Sequence, residues 1–151
     1  MTDRRAVRRK IALGLLTACG IYQIALGLYF ILCRPSFLPE DVRFMRGSAA
    51  AIRAAAPGIE AWLQWVFAVM GGQMTGVGIL VLLAARRERY GIAAPPAETF
   101  FLASAAVATA VLMSGVNFAI GSDFRWLLLA PVALWILALF FHSGGRPHED
   151  R

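Results

Sequence analysis

At 151 residues the chain has the length of one modest soluble domain, yet 59% of it is hydrophobic, only 16% is charged, and the mean hydropathy is +0.64. Soluble domains are nearer half apolar and a quarter charged, so composition points to a membrane protein. The net charge of +6 does not suggest nucleic acid as a partner, because the Arg residues flank apolar runs instead of tracking along one polar face.

A helix needs about 20 largely apolar residues to cross the hydrocarbon of a bilayer. Four runs approach or exceed that length. Ile11–Cys33 is the first, bounded by Arg and Lys on one side and Arg34-Pro35 on the other. Residues 61–85 are the second, entered through Trp62 and Trp65 and left through Arg86, Arg87 and Arg89. Residues 99–120 are the third, after the breaker Ala94-Pro95-Pro96, and residues 124–141 are the fourth and shortest. Continuous apolarity without alternation excludes a barrel, so the expected fold is all-α, with residues 1–151 forming one four-helix transmembrane domain.

Orientation follows from Lys and Arg. Ten lie in the N-terminal block, the loop after the second run and the C-terminal tail, against five in the two remaining loops. Both termini are therefore expected inside, with Trp62, Trp65, Phe124 and Trp126 as an aromatic belt at the outer interface. A lipoprotein signal ending at Leu16-Thr17-Ala18-Cys19 is disfavoured, since the apolar run continues to Leu32. Cys19 and Cys33 are fourteen residues apart, about 21 Å along a helix, and cannot bridge each other.

Residues 34–60 form the one long outer loop. Pro39 suits a helix start, with Glu40 and Asp41 complementing the dipole of its first turn. Val42, Met45, Ala49, Ile52 and Ala56 recur at helical spacing, and Gly47 is placed to split the segment. A short amphipathic piece capping the bundle is expected, in preference to a substrate lid.

Helices in lipid need small residues for close approach and a few hydrogen bonds. Gly20, Gln23 and Gly27 share a face of the first run, and Ala68, Gly72 and Gly76 form small-xxx-small steps in the second. Ala103, Ala106, Ala110, Ser114, Asn117 and Gly121 fall on one side of the third. The fourth run lacks such a stripe and is expected to pack peripherally. Tyr22, Gln23, Gln73, Thr75, Thr109 and Asn117 are the polar residues at membrane depth. They suit either hydrogen-bonded glue between helices or a pocket for a lipid or quinone, and glue is the favoured reading.

Apart from Arg125 at the outer start of the fourth, no Asp, Glu, Lys, Arg or His lies within the four runs, which removes the usual mark of proton relays and ion-coupled transport. His142 and His148 stand at or beyond the end of the fourth run, so haem ligation across the bundle is excluded by placement. No metal site, catalytic residue or required cofactor is expected.

From Ala25 to Arg87 the chain reads ALGLYFILCRPSFLPEDVRFM, then a variable segment, then WVFAVMGGQMTGVGILVLLAARR. A first span ending in Tyr-Phe, a Pro-bounded outer loop and a Gly-rich second span closing on Ala-Arg-Arg resemble the small four-helix bacterial membrane proteins of the DoxX-like kind. The resemblance implies a four-helix fold in a bacterial inner membrane. Some relatives of that kind are associated with thiosulfate:quinone oxidoreduction, but no residue here matches a motif that carries it. The expected role is a non-enzymatic accessory or partner-binding membrane subunit. The partner is either another membrane protein or a further copy of the chain. The alternative is a small permease or lipid/quinone-binding membrane protein, including a redox-associated DoxX-like subunit.

Overall fold

Apolar runs surrounded by lipid must satisfy their own backbone, and every regular element among the described residues is a helix. The computed structural model describes residues 2–90, 92, 95 and 97–143. Ala94, Pro96, Arg146, His148 and Arg151 lie outside them. In chain order the elements are α1 (Thr2–Leu32), α2 (Pro39–Phe44), α3 (Ala49–Ala55), α4 (Ile59–Tyr90), α5 (Glu98–Ala106), a π-helical turn (Val107–Val111), α6 (Leu112–Ala119) and α7 (Leu129–Ser143). α5, the π turn and α6 are one continuous helix.

Three helices are long and apolar enough to cross a membrane, namely Arg4–Leu32, Ile59–Tyr90 and Glu98–Ala119. α7 is apolar but has 15 residues, a rise of about 22 Å. It begins at Leu129 and not at Phe124, because the chain leaves α6 through Gly121 at φ +67°. The Ser122 amide then donates back to the Asn117 carbonyl (2.9 Å), and residues up to Leu128 are turns.

α1 and α4 are antiparallel and make the closest packing in the molecule. A Cβ placed on Gly78 would stand 2.8 Å from the Gly20 carbonyl oxygen, and one on Gly27 would stand 2.6 Å from the Gly71 carbonyl oxygen. Only glycine allows backbones this near, and dispersion over the contact then holds the pair. The packing face of α4 differs from the one its small-residue spacing suggests. Gly71, Thr75 and Gly78 meet α1, whereas a methyl group added at Gly72 or Gly76 would find no atom within 4 Å, and both glycines face outward. Ala68 is half-buried between the two faces. Both stripes recur at helical spacing, and the one whose glycines align with Gly20 and Gly27 becomes the interface.

α7 is not peripheral. It packs against both α1 and α5, burying Pro131, Trp135, Ala138 and His142. Trp135, 2% exposed, is the largest fully buried side chain, and it sits in one cluster with Leu16, Cys19, Val81, Ala84, Ala85, Leu102, Ala106, Ala110 and Ala138. The helix lacks a small-residue stripe because it contributes the bulk that fills the space which the alanines of α5 and the π turn leave open.

The glycine contacts predict an asymmetric mutational response. Gly27→Leu and Gly78→Leu should each lower stability by about 1–3 kcal/mol through overpacking, while Gly72→Leu and Gly76→Leu should change it little. Thermal unfolding in one detergent checks this, and equal losses at all four positions would contradict the packing described.

Candidate functional site

The six polar residues at membrane depth do not form a layer. Gln23 is 1% exposed in the interior, whereas Gln73 faces outward. Hydroxyls and amides elsewhere turn back on their own helices: Thr75 donates to the Gly71 carbonyl (2.8 Å), Thr109 to Ala105 (2.7 Å) and Asn117 to Met113 (2.9 Å). Tyr22 is half-buried, and among the described residues no hydrogen bond joins any two of the six. Such i−4 bonds satisfy a hydroxyl locally and leave little for a ligand or a neighbouring helix. Ser114 is the exception among the small residues, donating across to the Leu128 carbonyl (2.6 Å) and pinning the turns before α7.

Polar chemistry gathers at the two ends of the bundle instead. At one end, α2 folds over the helices and buries Glu40, which is 3% exposed. Ser122 is wholly buried and donates to Glu40 Oε1 at 3.2 Å, joining residues 82 apart in sequence. The Ser122 hydroxyl also accepts from the Phe124 amide (3.2 Å). Beside it, Asp41 accepts from the Leu38 amide (2.9 Å) and from Arg34 (3.1 Å). The Arg34 guanidinium lies 3.7 Å above the Phe67 ring and thus ties the end of α1 to α4. Arg43 pairs with Asp123 at 2.8 Å, and that hydrogen bond, with the charge of Asp123, raises the pKa of Arg43. α2 and α3 are separated where Arg46 takes φ +53°, and the Ser48 hydroxyl caps α3 by accepting from the Ala51 amide (3.1 Å). This end is a cap built on side-chain bonds, and sequence spacing shows the helix but not the burial of Glu40.

At the other end, α1 extends back past Ile11, and Arg8 donates to the last carbonyls of α7, Phe140 (2.6 Å) and Phe141 (3.1 Å). A cation there complements the helix dipole. His142, 3% exposed, has its Nδ1 2.8 Å from Glu88 Oε1, and Arg87 meets Glu98 at 3.3 Å. His142 is therefore a packed interior side chain at the end of α7, a placement that position in sequence does not reveal. Among the described residues no group of His, Cys, Asp and Glu is arranged to hold a metal.

The remaining candidate is the outward face of α4. Trp62, Trp65, Val69, Gly72, Gln73, Gly76 and Leu80 lie along it, all exposed. Among the described residues Gln73 finds no hydrogen-bond partner, although it sits midway along an apolar helix. A side-chain amide held in hydrocarbon without a partner costs several kcal/mol, about 2–7 by transfer measurements. The glycines beside it carry no side chain, and among the described residues nothing lies within 4 Å of where one would stand. No family model, curated protein or solved structure matches this chain.

The cap yields a prediction of its own. Glu40→Ala leaves Ser122 buried without its acceptor, a loss of about 1–3 kcal/mol. Trypsin should then cut faster at Arg43, Arg46 and Arg53, while Glu88→Ala at the opposite end leaves those sites unaffected. Mass spectrometry of a digestion time course reads the result.

Proposed function

We propose that this chain is a non-enzymatic, multi-pass membrane protein that docks another transmembrane helix on the outward face of α4. The observation that carries the reading is that α4 has two glycine faces. Gly71 and Gly78 are consumed by α1, and Gly72 and Gly76 meet nothing among the described residues, with the unpartnered Gln73 beside them. Glycines are poor helix formers, costing about 1 kcal/mol each against Ala, so an unused pair in mid-helix calls for a purpose. An accessory or assembly subunit supplies one: small residues admit the partner's backbone, and the amide of Gln73 bonds across the contact. The quinone-layer reading loses support because Gln23 and Gln73 face different ways.

In this reading the protein has four spans. α7, about 22 Å long, crosses where the bilayer thins to it, and the turns Phe124–Leu128, with the exposed Trp126 and Leu127, lie at the outer interface. The Arg-rich end carrying Arg8, Arg86, Arg87 and Arg89 lies in the cytoplasm, and the capped end lies outside. The resemblance to DoxX-like proteins supports the same inner-membrane placement. Cysteine labelling with an impermeant maleimide checks the topology in a Cys33→Ser background, which removes the exposed native thiol: Ser48→Cys should label from outside intact cells, and Arg5→Cys only after lysis.

Docking is tested by extracting the protein in mild detergent and measuring complex size and co-purifying chains. Gly72→Leu, Gly76→Leu and Gln73→Leu should each weaken the association about tenfold, on the scale of the roughly 1–2 kcal/mol available to such contacts, without lowering monomer stability. A protein that is monomeric and partner-free before mutation would refute the proposal. Capture of one membrane protein at fixed stoichiometry identifies a heteromeric subunit, and a discrete oligomer of this chain alone identifies a self-associating one.

A further inference from the structure

A groove of about 220 Å³ opens between α4 and α5 at the Arg-rich end, lined by Leu80, Leu83, Arg87, Glu98, Phe101 and Leu102 among others. Its walls are apolar and its closed end is not. There Glu98, 8% exposed, accepts from Arg87 through Oε2 at 3.3 Å, while its buried Oε1 has no hydrogen-bond partner among the described residues. An ionised carboxylate has roughly four acceptor positions, and leaving one oxygen bare in a buried site is costly. Arg87 is 40% exposed along its side chain, so it retains donors that Glu98 does not use.

The geometry points to a phospholipid site for a headgroup that carries both a phosphate and a primary ammonium, of the phosphatidylethanolamine type. The two charges of that headgroup are adjacent and opposite in order to the Arg87–Glu98 pair. Its phosphate takes the free donors of Arg87, and its ammonium meets the carboxylate of Glu98. A turn about the last torsion of Glu98, which is soft, brings Oε1 toward the groove. One acyl chain then lies along Leu80, Leu83, Phe101 and Leu102, whose exposed edges otherwise face lipid at random. A purely anionic lipid such as phosphatidylglycerol fits less well, because its headgroup hydroxyls can donate to Glu98 but bring no positive charge to offset the phosphate set beside that carboxylate. Phosphatidylcholine brings the charge but no N–H. The site uses the Arg-rich end of α4 and does not involve Gly72 or Gly76, so it stands independently of the docking face.

Native mass spectrometry of the intact protein in detergent, titrated with phosphatidylethanolamine, phosphatidylglycerol or phosphatidylcholine of identical acyl chains, tests the assignment. Phosphatidylethanolamine should be retained about tenfold more strongly than either competitor, the scale set by one charge-assisted hydrogen bond. Glu98→Gln should abolish that preference, and Phe101→Ala, which leaves the ion pair intact, should lower retention of all three lipids together. Equal or tighter retention of phosphatidylglycerol by the unaltered protein would overturn the proposal, as would a preference unchanged in a folded Glu98→Gln variant. The comparison on the unaltered protein decides the matter even if the variant does not fold.

Discussion

The close approach of α1 and α4 is the constraint on which the other contacts depend. Lipid gives helices no hydrophobic reason to associate, so the pair must be held by dispersion between backbones that nearly touch. Gly20 against Gly78 and Gly27 against Gly71 set that distance at two points about two turns apart. With the pair fixed, Leu16, Cys19, Val81, Ala84 and Ala85 form one wall of a cluster, and Trp135 closes it from α7. The same two points fix the rotation of α4, which is why Gly72, Gln73 and Gly76 are turned outward. The proposed docking face is thus a by-product of how the internal face was chosen.

Much of this was legible in the residues. Twenty-residue apolar stretches without alternation leave little room for anything but long helices, and three such helices are present. Helix faces were a harder matter. In a soluble protein, hydrophobic periodicity separates interior from surface, but here interior and lipid are equally apolar and the period carries little information. Ala68, Gly72 and Gly76 on the one hand, and Gly71, Thr75 and Gly78 on the other, are equivalent as patterns. Only the partner helix distinguishes them. α7 illustrates the opposite failure, since a bulky tryptophan reads as a lipid-facing or interfacial residue until the small side chains opposite it are known.

The polar residues divide in a similar way. Thr75, Thr109 and Asn117 look like interhelical glue when counted by depth, yet each bonds within its own helix. A local acceptor four residues back is always available to such side chains, so depth alone overstates their reach. Among the described residues, bonds that do tie distant parts together include Ser122 to Glu40, Arg43 to Asp123, Ser114 to Leu128, and Arg8 to Phe140 and Phe141. They lie at the ends of the helices, where carbonyls and amides run out of intrahelical partners.

The clasp between Arg8 and the end of α7 has a bearing on how the molecule is made. α1 is made well before α7, yet they are neighbours, and Trp135 belongs to the cluster in which Leu16 and Cys19 of α1 take part. An α1–α4 hairpin can pair through its glycines as soon as both have emerged, but the space beside it stays unfilled until α7 follows. Closing of this core therefore waits for α7 to seat itself against α1, where Arg8 donates to its last carbonyls. Truncation after Ala119 would leave the glycine-paired hairpin with an open side and no latch.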